Sequence, residues 1–218
     1  MADSPSAFSV AHGKESSAPI YRLDTAAFAV ALQRASDLDE LAAMAHDCDR
    51  CGLRAGCRTV VFGEGNPRAR LLLVGEGPGA TEDAMGRPFV GKAGELLDRI
   101  LEAAGFHRAD VYIANVVMCR PPGNRVPTPE EMSACRPYLE RRLALVDPPL
   151  IVALGATATR ALLRPNARIT QERGRWHRVD GRWVMPTYHP AALLRDPSKK
   201  KAVWDDFQLV REFYRRLS

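Results

Sequence analysis

Long apolar runs are missing from this chain: nowhere in its 218 residues is there a stretch approaching the roughly 20 apolar residues a membrane-crossing helix needs. Its start, Met1 to Val10, lacks a basic segment leading into an apolar one and so does not read as an export signal. A cytoplasmic, nucleoid-associated protein with no membrane partner is expected. Cysteine is scarce, at five residues, and without export such cysteines do not read as a disulfide scaffold. Metal binding, catalysis or burial as small apolar side chains are the readings left to them. No internal repeat is present, which excludes a repeat architecture.

What is present is an ordinary globular composition, 46% hydrophobic and 26% charged, in a chain long enough for one substantial core. The formal net charge of +5 suits a polyanionic partner, because Lys and Arg displace counterions from phosphates. It suits a solvated basic surface equally well, and charge alone does not separate the two.

Met1 to about Ile20 is rich in Ser, Ala and Pro without periodicity, so residues 1–22 are expected to be a disordered extension and 23–218 one domain. A helical pattern begins at Thr25, and Ser36 is placed to cap a second helix over residues 38–45. The runs 70–75, 111–117 and 150–155 are short, apolar and typical of buried strands. Residues 93–104 read as a helix stopped by Gly105, and Thr128-Pro129-Glu130-Glu131 opens another as a capping box. A short helix over 156–163 follows the third strand; two strands flank the hairpin turn Asp180-Gly181, the second over 183–187, and 199–216 is a closing amphipathic helix. Strands alternating with helices predict an α/β fold with a mainly parallel sheet. Such sheets bind ligands at the carboxyl ends of their strands. There the first strand reaches Glu76-Gly77-Pro78-Gly79, the second carries Asn115, and the last runs to His189.

Cys48-x-x-Cys51 precedes the first strand, Cys119 follows the second, and Cys135 lies one helical stretch further on. One tight and one wide pair suit a tetrahedral thiolate site. Zinc and an iron–sulfur cluster both fit that spacing, as does a redox pair at Cys48/Cys51 with the other two buried. Cys57 reads as a structural or surface thiol.

Three segments together carry a resemblance. Gly75-Glu76-Gly77-Pro78-Gly79-Ala80-Thr81-Glu82-Asp83 with Gly86-Arg87-Pro88-Phe89-Val90-Gly91-Lys92-Ala93-Gly94 resembles the first motif of the family 4 uracil-DNA glycosylases. Asn115-Val116-Val117-Met118-Cys119-Arg120-Pro121-Pro122 resembles their central strand and cluster loop, and His189-Pro190-Ala191-Ala192-Leu193-Leu194-Arg195 their second motif. The resemblance runs from about Cys48 to the C-terminal helix. It implies a three-layer αβα sandwich with a central, mainly parallel four-stranded sheet. It further implies a 4Fe–4S cluster on Cys48, Cys51, Cys119 and Cys135, with a structural role, in a monomer acting on uracil-containing DNA.

Each site residue then has an expected role. Phe89 stacks on a base flipped out of the helix. Asn115 reads the uracil edge, since its amide offers the donor and acceptor that match O4 and N3–H, a pattern cytosine reverses. His189 places a ring N–H toward uracil O2, where charge develops only in the transition state. Glu76 positions water or steadies the sugar cation; Gly77 lines the pocket; Glu82 shapes the wall that rejects the thymine methyl. Leu193 and Leu194 are placed to fill the gap the base leaves, or to start a buried helix face, and Arg195 and Lys199–Lys201 to meet phosphates. Two other readings compete: a non-enzymatic iron–sulfur DNA-binding protein and a thiol oxidoreductase built on Cys48-x-x-Cys51. A third lies within the superfamily, a branch that traps uracil-DNA covalently on a histidine. That branch has a glutamine in the first motif and a basic insertion, whereas here Glu76 stands in the motif and 89–94 run on without one.

Overall fold

The computed structural model describes residues 26–217, so the expected extension at 1–22 and the boundary at 23 lie outside the described residues. Helices α1 (Ala26–Leu32), α2 (Leu38–His46) and α3 (Leu53–Gly56) lead into the short strand β1 (Glu64–Gly65). There follow β2 (Leu71–Gly75), α4 (Ala80–Met85), α5 (Lys92–Ala103), β3 (Tyr112–Asn115), α6 (Pro129–Val146), β4 (Leu150–Leu154) and α7 (Gly155–Leu162). The chain closes with α8 (Ile169–Glu172), β5 (His177–Val179), β6 (Arg182–Thr187), α9 (Pro190–Arg195) and α10 (Lys200–Arg216).

One sheet of six strands runs in the order β1-β3-β2-β4-β6-β5. The pairings β3-β2, β2-β4 and β4-β6 are parallel, and the edge strands β1 and β5 pair antiparallel. The expected count of four strands is thus corrected to six. Two-residue β1 has no apolar alternation to reveal it, and β5 is the outer arm of the Asp180-Gly181 hairpin. Both turn residues have positive φ, 46° and 80°, as the tight primed turn requires.

Side chains alternate between two cores, which makes the layers. Leu72, Val74, Ala114, Ile151 and Val184 face Leu32, Leu41, Tyr138 and Ala158 from α1, α2, α6 and α7. Leu71, Leu73, Ile113, Val152 and Met185 face Leu97, Leu101, Leu193 and Phe207 from α5, α9 and α10. Burial on both faces is why β2 and β4 read as unbroken apolar runs. The capping box of α6 forms as expected: Glu131 N–H donates to the Thr128 hydroxyl, and Thr128 N–H to the Glu131 carboxylate. At α2 the cap is Asp37, not Ser36. Asp37 accepts the Glu40 N–H at 2.9 Å, while the Ser36 N–H and hydroxyl donate back to the Glu40 carboxylate.

Candidate active site

The carboxyl ends of β2, β3, β4 and β6 border a cleft of about 620 Å³, large enough for a nucleotide-sized ligand. Glu76, Gly77, Glu82, Phe89, Asn115, His189 and Arg195, from three separated segments, all line it.

Asn115 is 2% exposed, and its side-chain Oδ1 is buried with no hydrogen-bond partner among the described residues. An unmatched buried acceptor is costly, so one at the floor of a cleft points to a ligand donor. Beside it, Phe89 sits at φ 51°, a left-handed backbone rare for an aromatic residue, with its ring stacked on that of His189 at 5.4 Å. Strain of this kind persists only where surrounding structure fixes it. The fixing is done in part by Glu82, whose carboxylate accepts N–H groups from Gly79 at 3.2 Å, Val90 at 3.0 Å and Gly91 at 2.8 Å. Glu82 lines the cleft as expected of a wall residue, and its carboxylate also fastens the loop that presents Phe89.

His189 caps α9, its Nδ1 accepting the Ala191 N–H at 3.1 Å. With Nδ1 accepting, the neutral ring carries its proton on Nε2, which leaves that N–H free to donate. Burial pushes the His189 pKa down to about 4, the nearby Arg195 charge adds to the shift, and Glu82 opposes it. At neutral pH the ring is therefore an uncharged donor. Gly155 makes room for it: at φ 90°, an added Cβ would lie 2.9 Å from His189 Cβ.

The shifted pKa has a consequence for stability. Unfolded, the imidazole takes its proton near its ordinary 6.5; folded, only near 4, so acid favours the unfolded chain. The contribution of His189 is complete above about 6.5 and is lost as pH falls through about 4. Between pH ~7 and ~4 the wild-type melting temperature should fall further than that of His189→Gln. Equal falls in calorimetry would show that the ring is not held neutral.

Glu76 does not stand alone, because the Thr157 hydroxyl at the start of α7 donates to its carboxylate. Sequence reading missed Thr157, since a threonine in the first turn of a helix carries no signal of a partner on another strand. The two leucines part company. Leu194 is 46% exposed, but Leu193 is 1% exposed and packs in the core under α9. The placement of Leu193 against DNA is corrected accordingly: it faces the sheet as a core residue. Arg195 is exposed at the cleft rim. Lys199 and Lys201 are engaged with Asp196 and Asp205.

Cys48, Cys51, Cys119 and Cys135 line one small cavity together with Arg50, Arg54, Ala45, Leu53, Val117, Met118 and Ala134. Cys57 is not part of that lining, and its Sγ donates to the Arg54 carbonyl. Among the described residues, no three His, Cys, Asp or Glu side chains converge as a single-ion site. Burial pushes the Cys51, Cys119 and Cys135 thiols up, Cys135 to about 11, so a bound cation is what would hold them as thiolates.

Residues 62–208 match the sequence profile of the uracil DNA glycosylase superfamily. The type-4 uracil-DNA glycosylase of Thermotoga maritima is 45% identical over 175 residues, covering 78% of this chain and 90% of that protein. The type-4 enzyme of Archaeoglobus fulgidus is 40% identical, with 80% and 92% covered. A type-5 uracil-DNA glycosylase of Thermus thermophilus is 36% identical over a shorter region, 59% of this chain. No helix among the described residues is long and apolar enough to cross a membrane.

Proposed function

The chain belongs to the uracil DNA glycosylase superfamily and, within it, to the type-4 family, and from that premise we propose that it excises uracil from DNA by hydrolysing the N-glycosidic bond. The observation that carries this reading to the site is the unpartnered Oδ1 of Asn115 on the floor of the cleft. It accepts uracil N3–H while the amide NH₂ donates to O4. Thymine offers the same edge to Asn115, so its rejection rests on the space around the ring carbon that bears its methyl. Phe89 supports the base face. As the bond from C1′ to N1 breaks, its electron pair passes to the base, and His189 Nε2–H steadies the charge at O2. Water, placed by Glu76 that Thr157 orients, adds to C1′ and loses a proton to solvent, and the uracil anion takes one up on release, so that C1′ ends with a hydroxyl and uracil leaves neutral. Arg195 meets backbone phosphate, and Leu194 fills the space the base vacates.

The four cysteines are assigned a 4Fe–4S cluster, which braces the segments around Cys48–Cys51, the β3 loop and α6. Cys135→Ser is expected to abolish the brown colour and bound iron, while Cys57→Ser keeps both, as read by visible absorption and iron analysis. Colour lost from Cys57→Ser and kept in Cys135→Ser would reverse the ligand assignment.

An end-labelled oligonucleotide with a single uracil, incubated with the protein, treated with alkali and run on a denaturing gel, tests the activity. Multiple-turnover cleavage at uracil, absent at thymine and cytosine, is the expected result. A heat-stable protein–DNA adduct would replace the reading by covalent trapping, and no product with no adduct by DNA binding alone.

A further inference from the structure

Among the described residues Arg142 is the largest fully buried side chain, at 0% exposure, and no carboxylate of theirs pairs with it. Its guanidinium donates to two backbone carbonyls, those of Phe62 and Asn115, the latter at 3.2 Å, and lies over the Phe62 ring. Its Nε has no partner. A buried cation satisfied only by carbonyl dipoles is costly unless a negative charge stands near. Seven residues earlier on the same helix, two turns back and on the same face, stands Cys135. Burial pushes the Arg142 pKa down, opposed first by nearby Tyr112 and then by Cys135.

We propose that Arg142 is a fully buried counter-charge of the four-cysteine site, adding to Arg50 and Arg54 on the cavity lining, and the strut that ties its helix to the strand carrying Asn115. This rests on the cluster reading given above. A 4Fe–4S core of charge about +2 on four thiolates is a group of about −2, which a fixed cation nearby offsets. The same guanidinium holds the main chain of the residue that reads uracil. Loading of the cysteine site and order in the uracil pocket are thereby linked through one side chain.

The test uses the iron-loaded protein. Arg142→Met keeps most of the bulk and removes the charge. It should shift the cluster midpoint potential to more negative values, because the more negative reduced form loses its neighbouring cation. Arg142→Lys keeps the charge without the fork that spans two carbonyls. Its potential should stay near wild type while kcat/KM on uracil DNA falls several-fold. Wild-type potentials in both variants would overturn the counter-charge, and wild-type kcat/KM in Arg142→Lys would overturn the strut. Should Arg142→Met not fold, Arg142→Gln takes its place for the potential, an unchanged value counting against the counter-charge, and Arg142→Lys decides the strut. Iron analysis of the wild type comes first. A chain that binds no iron would sink the cluster reading itself, a failure distinct from either variant result.

Discussion

Replacing His189 with alanine is expected to lower kcat on uracil DNA by about 10²- to 10³-fold, the usual cost of removing one donor aimed at developing negative charge. The argument rests on the hydrogen bond His189 already makes. Because Nδ1 accepts the Ala191 N–H, the ring cannot turn to use that nitrogen without uncapping α9. Nε2–H is then the atom left for the base. Alanine removes cap and donor together, and a lost cap costs about 1 kcal/mol of stability. Asparagine separates the two effects, since it caps helices well and its shorter amide does not reach where Nε2 stands. His189→Asn should therefore melt close to wild type and still lose turnover, whereas His189→Ala should lose both. Single-turnover excision and thermal melting on the same preparations make the comparison. Turnover within about tenfold of wild type in both variants would remove His189 from the charge-stabilising role. Asn115→Ala is the companion case: it should keep fold and colour while losing activity, because its side-chain Oδ1 has no hydrogen-bond partner among the described residues for the substitution to take away.

The parts of this site that were legible in the sequence are those that sit at strand ends. Glu76, Asn115 and His189 each follow an apolar run, and a parallel sheet brings such ends together whatever lies between them. The capping box at Thr128 and the hairpin at Asp180 were legible because local chemistry alone decides them. What was not legible depends on contacts between segments far apart in the chain. Thr157 is 81 residues from the carboxylate it donates to. Glu82 looks like any acidic residue in a first helical turn until the chain folds back and brings the Val90 and Gly91 amides to it. Leu193 and Leu194 are adjacent, and only the helical phase of α9 against the sheet sends one to the core and the other to solvent. Arg142 resembled one more surface arginine in a charged helix, since nothing in the pattern Glu140-Arg141-Arg142 marks which one turns inward.

Gly75 leads to the other large effect. It is the last residue of β2, paired in register with Asn115 on β3, and both are buried. Its backbone is not in the left-handed region, so alanine meets no conformational penalty there. The obstacle is space. A Cβ at Gly75 would lie 2.4 Å from Asn115 Oδ1 and 2.5 Å from Phe89 Cζ, the two groups proposed to read and support the base. Neither can retreat cheaply. Asn115 is walled in by the sheet, and Phe89 is held at its positive φ by a loop that Glu82 fastens. Gly75→Ala should therefore displace both at once. A displacement near 1 Å at reacting or binding groups costs on the order of 10²-fold in rate, so kcat/KM should fall at least that far. Overpacking of this size costs about 1–3 kcal/mol, which leaves a folded protein whose melting temperature drops by a few degrees. The cysteines are not among the atoms the new methyl meets, so iron content should be unchanged, and colour serves as an internal check that the variant is intact. Activity lost with colour kept would place the fault at Asn115 and Phe89. Full activity would mean that uracil is read by groups other than these two, and that the unpartnered Oδ1 of Asn115 has some other purpose.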